Sequence, residues 1–338
     1  MEALDNKCPS CSSQIVFNPA NQTWDCTYCG GRFTLDEINK NNLNSNNSGN
    51  LNLDVYKCSN CGAEIMADET TTATFCVYCG SSAVLKEKIN DGRCPDFIIP
   101  FKVVKDDAIL SYKKFTKFKP LLPRCFKSKA NVEKITGVYV PFWAYDLEIS
   151  GGVDFEGVDK ERWHDDEYDY VKFKKYLVKT EGKFDFDKVL ADASSKFSDD
   201  MMDSLEPFDY QQITNYNHMY LSGYLADKYD IFEDAGLERV AGRSRATAIS
   251  LLENTVRHDS NSVVDDRLNV INKKTHYIYL PVWMLNIKYK DKTYTFAVNG
   301  QTGKFVGDLP IGVLECVIWG LGLFILFYVI AMLGLKFL

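Results

Sequence analysis

Apolar residues along this chain repeat with different periods in different regions, and each period predicts a different element. Near the C-terminus there is no period at all. Cys316 to Leu335 is a run of twenty residues without a charge, and twelve of them are Leu, Ile, Phe or Val. As a helix the run is about 30 Å long, the thickness of a bilayer's hydrocarbon core. At roughly 0.4 kcal/mol for each of those residues, insertion is favoured by about 5 kcal/mol. A helix of a soluble core keeps a polar stripe. This one has none, with Trp319 near one end and Lys336 at the other. Residues 309–338 are therefore expected to form a C-terminal transmembrane anchor. No Gly-x3-Gly pair lies in the run, so helix dimerisation is not expected from it.

Between residues 93 and 308 the pattern alternates between strand and helix periods. Pro95 to Phe101 reads as an extended segment leading in. Asp106 is expected to cap a helix carrying Ile109, Leu110, Tyr112, Phe115 and Phe118. Val138 to Ile149 and Tyr168 to Phe186 read as strands. Residues 232–257 make the strongest helix, with Phe232, Val240, Ile249, Leu252 and Val256 on helical spacing. Val263 to Asn299 returns to strands, with turns at Tyr289-Lys-Asp-Lys-Thr293 and at Asn299-Gly300. Within this region Tyr139-Val-Pro-Phe-Trp143 matches Tyr279-Leu-Pro-Val-Trp283, displaced by 140 residues. A proline inside a strand implies an edge or a bulge. Two related strand units around a helical insertion are the expected architecture, with chance similarity over the twelve matched residues as the alternative.

The cysteines divide the remainder. Eleven occur in 338 residues, and eight lie in the first 79. Cys8, Cys11, Cys26 and Cys29 read C-x2-C-x14-C-x2-C, and Cys58, Cys61, Cys76 and Cys79 repeat the pattern 50 residues later. Lys7, Ile15, Tyr28 and Gly30 recur as Lys57, Ile65, Tyr78 and Gly80, so the segment is duplicated. Each C-x2-C is a tight knuckle that aims two thiolates at one ion, and two knuckles close a four-sulfur zinc site. Such a site keeps no open position for water and is structural. A ribbon this small cannot bury a core, so the metal must supply its folding energy, on the order of 10 kcal/mol. Disulfides would require an oxidising compartment, and Met1-Glu-Ala-Leu opens no signal peptide. A redox C-x2-C occurs once beside a βαβ pattern, not four times in matched pairs. Cys94, Cys125 and Cys316 fit no ligand spacing and read as ordinary buried thiols.

Residues 39–52 contain eight asparagines in fourteen positions, too polar to bury and read as a tether that lets the first ribbon move independently of the second. The expected organisation is therefore multidomain: a first ribbon over 1–38, an Asn-rich linker over 39–53, and a second ribbon over 54–92. An α+β middle domain with antiparallel strands follows over 93–308, and then the anchor.

Charge narrows the partners. The chain carries a formal charge of −7. Residues 1–92 hold six cations against eleven carboxylates before any thiolate is counted, so phosphate backbones are repelled and nucleic acid is not an expected partner. Lys102 to Lys134 holds ten cations against three carboxylates, whereas Asp146 to Asp209 holds nineteen carboxylates against nine cations. The basic segment has two readings: a face against anionic lipid, or a solvated face paired with the acidic segment.

No catalytic constellation emerges. His164, His218, His258 and His276 are scattered. Trp163-His-Asp-Asp-Glu167 reads as an exposed acidic turn, Asp199-Asp-Met-Met-Asp203 as a helix start, and Gly300-Gln-Thr-Gly-Lys304 as a hairpin turn lacking the phosphate-loop pattern. The chain is not expected to be an enzyme.

The paired knuckles, the Tyr-x-Pro-x-Trp strands, Ser204-Leu-Glu-Pro-Phe208, Gly223-Tyr-Leu-Ala-Asp-Lys-Tyr-Asp230 and the terminal span together resemble the bacterial membrane-anchored zinc-ribbon proteins with a transcription factor IIB-type ribbon. The resemblance covers most of the chain. It implies a non-enzymatic membrane adaptor that works with a PspA-like, ESCRT-III-related partner in the envelope-stress response. With only three residues after the span, insertion is expected after synthesis, leaving the bulk of the chain on the cytoplasmic side of the cell membrane. The alternative is a membrane-tethered zinc-ribbon protein that binds nucleic acid or serves transcription.

Overall fold

Long runs of β-branched and aromatic residues keep the middle of the chain extended, and these runs organise everything else. The computed structural model describes residues 8–43, 54–58, 62, 64–67, 84–87, 93–290 and 292–336. In chain order the elements are β1 (Ile15–Asn18), β2 (Thr23–Cys26), β3 (Arg32–Phe33), α1 (Leu35–Leu43), β4 (Asp54–Cys58), β5 (Glu64–Ala67), β6 (Val84–Glu87) and β7 (Phe97–Ile98). Next come α2 (Lys105–Thr116), α3 (Lys129–Val132), β8 (Thr136–His164), β9 (Asp169–Asp192), α4 (Asp199–Leu205), β10 (Thr214–Asn215) and β11 (Leu225–Asp227). The last are α5 (Glu233–Glu253), β12 (Ser260–Asp266), β13 (Asn269–Tyr289), β14 (Lys292–Asn299), β15 (Phe305–Gly307) and α6 (Val313–Lys336). The middle of the chain is thus a mostly antiparallel β-sheet, followed by one long apolar helix.

Contacts group the chain into two units, interleaved in sequence: residues 1–141, 194–228 and 279–338, and residues 142–193 with 229–278. The grouping cuts across the 93–308 segment because β8 and β13 each contribute residues to both.

In the first unit β11 runs parallel to β8 (Leu225 opposite Val138) and antiparallel to β5 (Asp227 opposite Ile65). β4 lies between β5 and β6. β13 and β14 form a hairpin from Val282 opposite Asn299 to Tyr289 opposite Lys292, and β15 returns along β14. α2 packs on this hairpin through Tyr112 and Phe115, whose rings meet Phe296 and Phe305.

The second unit is built on the β8–β9 hairpin, paired from Phe142 opposite Asp192 to His164 opposite Asp169. β12 covers the other edge of β8 between Val153 and Val158. α5 buries Gly236, Val240, Ser244, Ala248 and Leu252, a ridge of mostly small residues spaced four apart. At Gly236 the helix comes so near the sheet that a Cβ would lie 2.4 Å from the Tyr145 hydroxyl. The core joins Ile149, Val153 and Phe155 of β8 to Ala248 and Leu252 of α5.

The two Tyr-x-Pro-x-Trp segments occupy matching positions in their hairpins. Each proline immediately precedes the residue that pairs with the end of the returning strand: Phe142 with Asp192, Val282 with Asn299. β8 pairs with β11 through Tyr139 and with β9 from Phe142 on. Pro141 therefore sits where the strand changes partner, and its missing N–H is tolerated there rather than at a sheet edge. Each tryptophan indole N–H donates to a carbonyl two residues before a helix, Trp143 to Ile231 (2.8 Å) ahead of α5 and Trp283 to Val103 (2.9 Å) ahead of α2. Each hairpin is thus capped by the helix that belongs, in chain order, to the other copy.

Four expectations need correction. Cys94 is exposed and Cys125 and Cys316 are half-buried, so none of the three is a buried thiol. Asp106 does not cap α2; the N-cap is Val104, with no side-chain cap, and Asp106 lies inside the first turn, where a carboxylate favours the positive dipole end. Phe232 is 68% exposed and off the buried face of α5. α1 continues through Leu43 into the stretch expected as linker, and residues 44–53 lie outside the described ones.

Candidate metal centre

The first cysteine set converges. Cys8 and Cys11 lie before β1, Cys26 ends β2, and Cys29 follows it in the turn to β3. The β1–β2 register, Ile15 opposite Cys26 to Asn18 opposite Thr23, brings the two knuckles to one end of the hairpin. Each knuckle is closed by the same backbone turn. The Ser12 N–H donates to the Cys8 carbonyl at 2.8 Å, and the Gly30 N–H to the Cys26 carbonyl at 3.0 Å. The closing residue has positive φ in both, +58° at Ser12 and +73° at Gly30, which is why glycine follows Cys29. Backbone N–H groups also point at sulfur: Ser10 to Cys8 at 3.4 Å and Cys29 to Cys26 at 3.5 Å.

The four sulfur atoms lie within 4.8 Å of one another, with Cys8 to Cys29 and Cys11 to Cys26 each at 3.6 Å. That is far beyond an S–S bond of about 2.05 Å, and all four cysteines are free. A tetrahedral ion with metal–sulfur bonds of about 2.3 Å separates its sulfurs by about 3.8 Å. The cluster therefore has the dimensions of a four-thiolate metal site, and this group can hold a metal ion.

The electrostatics agree. Hydrogen bonds from the Ser13 side chain and backbone favour the Cys11 thiolate, lowering its pKa to about 6. The Cys29 N–H, foremost among several groups, lowers that of Cys26. Cys29 receives a similar bond from the Gly31 N–H, yet its hydrogen bonds with Cys26, Cys8 and Cys11 push it up to about 12. Four thiolates so close cannot all ionise without a cation among them, and a bound ion removes that restraint.

The second set is described only in part. Cys58 is buried at the end of β4, and the Gly62 N–H donates to its carbonyl at 2.8 Å with φ +73°. This turn is the one that closes both knuckles of the first site. Cys61, Cys76 and Cys79 lie outside the described residues.

The first module is seated on the segment 217–224 of its own unit. The Trp24 indole donates to the Met219 carbonyl at 2.8 Å, and the Ser222 hydroxyl donates to the Ile15 carbonyl at 2.5 Å. Phe17 and Trp24 close around Tyr220, with ring centroids 5.0–5.2 Å apart. Nothing in the cysteine spacing pointed to Ser222 or Met219; the neighbouring Gly223–Asp230 motif was the nearest signal.

The other candidate chemistry does not assemble. Among the described residues the four cysteines form the one group of metal-ligating side chains. Trp163–Glu167 lies at the exposed tip of the β8–β9 hairpin, where Asp165 accepts from the Glu167 and Tyr168 amides. Gly300–Lys304 is the β14–β15 turn, closed by Asn299 and Lys304. His258 pairs with Asp159 at 2.9 Å, far in sequence from any cysteine pair.

At the other end, none of Val313–Ile330 in α6 is buried. The helix is long and apolar enough to cross a membrane.

Fold and site define a class: a cysteine-cluster module on a mostly antiparallel β-sheet protein that ends in a candidate membrane helix. The chain is 34% identical over 321 residues to the uncharacterized protein YdjG of Bacillus subtilis (strain 168), covering 95% of this chain and 94% of that protein. It belongs to the YdjG family. No family model and no solved structure matches the chain.

Proposed function

We propose that this protein is a membrane-anchored, non-enzymatic adaptor whose eight N-terminal cysteines hold two structural zinc ions. The convergence of four thiols with no open coordination position carries the metal half of the reading, because such a site fixes a fold and leaves no place for substrate. The second ion falls to Cys58, Cys61, Cys76 and Cys79, supported by the matching turn at Gly62. α6, with none of Val313–Ile330 buried, supplies the anchor, with the bulk of the chain on the cytoplasmic side. Docking of proteins, including a PspA-like partner of the kind the family resemblance implies, falls to the surfaces that packing leaves open. Trp163, Tyr168 and Tyr170 at the tip of the β8–β9 hairpin are 38–62% exposed, with Tyr170 5.4 Å from Trp163 and 6.4 Å from Tyr168, an aromatic cluster of the sort that marks interaction sites.

Metal analysis and membrane fractionation test the proposal together. Purified protein should carry about two zinc ions per chain, and deletion of residues 309–338 should release it from the membrane fraction. A truncated protein that still pellets completely with membranes would remove the anchor from the reading. Zinc absent from protein purified without chelators would remove the metal.

A further inference from the structure

The segment between α2 and α3 joins three features that packing does not explain: a concentration of unpaired cations, an exposed aromatic ring among them, and a direct tie to the start of α6. We infer that this face, centred on Lys113, Lys114, Lys117, Phe118 and Lys119, seats on the anionic phospholipid headgroups of the leaflet at the N-terminal end of α6. The inference rests on the reading of α6 as a membrane span and adds the surface that reads the lipid.

Position comes first. The Gly312 N–H donates to the Leu121 carbonyl at 2.8 Å, so the chain is pinned to this loop one residue before α6 begins. Between them lies a groove of about 440 Å³, lined by Phe115, Phe118 and Lys119 on one side and by Leu309 and Ile311 on the other. Ile311, Val313 and Leu314 are 64–69% exposed. If hydrocarbon covers them, the loop at Phe118–Leu121 lies at headgroup depth, because one helical turn rises only about 5.4 Å.

Charge comes second. Lys113, Lys114, Lys117, Arg124 and Lys127 are exposed. Among the described residues none of them has a carboxylate within 4.0 Å; the single ion pair of the segment is Lys129 with Glu133, which are adjacent turns of one helix end. Lys127 instead donates to the Lys119 carbonyl at 3.1 Å. The carboxylates on this side are Asp308, in the groove wall, and Glu315, in the first turn of α6. The acidic segment 146–209 therefore does not neutralise these lysines through ion pairs, which argues against internal pairing of the basic segment.

The aromatic ring comes third. Phe118 is 84% exposed, with the Lys117 ammonium 5.2 Å from its ring centre. The Lys119 ammonium lies 3.6 Å from the Phe115 ring. An apolar ring encircled by lysines is costly in water and suited to an interface, where the ring enters the acyl boundary and the ammonium groups meet phosphate. A lipid surface is the occupant the geometry favours because the anchor holds it beside this face at all times, so no second binding event is needed.

The test uses the full chain reconstituted into vesicles of phosphatidylcholine alone or of phosphatidylcholine mixed with phosphatidylglycerol, with a photo-crosslinking residue in place of Phe118. Lipid adducts at that position are expected with phosphatidylglycerol, and they should fall as salt is raised. The quadruple variant Lys113→Gln, Lys114→Gln, Lys117→Gln, Lys119→Gln should lose the phosphatidylglycerol-dependent adduct. Each cation contributes roughly a five-fold factor, so the four together are on the order of several hundred-fold in lipid affinity. The Lys→Arg quadruple should keep the adduct, separating charge from folding. Chain that floats with the vesicles yet crosslinks equally in both lipids, or equally in the Gln variant, would overturn this inference alone. Chain that fails to float would overturn the anchor and this inference together.

Discussion

Removing the metal from the first cysteine cluster should undock the module that carries it. Without an ion, the module keeps two buried rings, Phe17 and Trp24, and four hydrogen bonds to its own unit: Trp24 to Met219, Ser222 to Ile15, Phe17 to Ser222, and Gln22 to Phe101. The rings contribute about 2 kcal/mol each and the hydrogen bonds about 1 kcal/mol each, roughly 8 kcal/mol in all. A four-thiolate ion contributes on the order of 10 kcal/mol or more, and a short hairpin such as β1–β2 is at best marginal alone. Loss of the ion should therefore exceed what docking supplies. The reporter is Trp24, 1% exposed in the folded chain. Tryptophan emission is compared between the wild type and Trp24→Phe, before and after a strong chelator, while released metal is titrated in parallel. The contribution assigned to Trp24 should shift to the red as metal leaves, whereas that of Trp143, in the other unit, should not. A Trp24 contribution that stays blue after complete removal of metal would refute the argument that the ion holds this module together.

Other expectations concern single residues. Gly30→Ala and Gly62→Ala each force a Cβ into positive φ, at a cost of about 1–2 kcal/mol; metal retention against a competing chelator should fall in both, and equal retention would show that the turn is not needed. Trp143→Phe and Trp283→Phe should each lower stability by about 1–3 kcal/mol, because each strands the carbonyl ahead of a helix. Calorimetry tests the pair, and a neutral result for either would detach that indole from the role. Burial lowers the pKa of His218, next to Met219 on the seat of Trp24. A histidine with a depressed folded value favours the fold above its unfolded pKa of about 6.5 and loses that contribution as pH falls below it. Docking read by Trp24 emission should weaken as pH falls below that value in the wild type, and His218→Phe should flatten the profile.

Much of this was legible in residue patterns because the patterns record constraints local in sequence. Cysteine spacing fixes a knuckle, and the structure brings Cys8, Cys11, Cys26 and Cys29 together as the spacing required. The uncharged run from Cys316 is likewise local, and α6 covers it. The strands around Tyr139 and Tyr279 were visible because both carry apolar residues without interruption. What escaped was non-local. No periodicity tells that Trp143 meets the carbonyl of Ile231 or that Trp283 meets that of Val103, since each helix pairs with a hairpin from the other copy. Nor does the Asn-rich stretch into which α1 runs disclose that Ile15 and Trp24 are held by Ser222 and Met219, two hundred residues on. Asp106 misled for a simpler reason: a carboxylate near a helix start serves the dipole as well inside the first turn as at the cap.

The two hairpins also differ in a way that bears on the adaptor reading. Both begin one residue after the proline, but the Trp283 hairpin turns at Tyr289, whereas the Trp143 hairpin runs on to His164. Burial along β8 is nearly continuous through Phe155 and gone from Lys160 onward. The core residues Ile149, Val153 and Phe155 all precede that point, as do the β8 residues that β12 pairs with, Val153 to Val158. The tip from Lys160 to Phe173 is thus length that packing does not require, and it carries exposed Trp163, Tyr168, Tyr170 and Phe173. Under the adaptor proposal, these exposed rings are the surface that a partner would cover. Replacing the tip by a two-residue Asn-Gly turn should leave hydrogen-exchange protection in α5 unchanged, because α5 packs below the cut, and should remove the proteins that co-purify with the detergent-solubilised full chain. Loss of α5 protection would show that the tip is structural, and an unchanged set of co-purifying proteins would move the docking surface elsewhere.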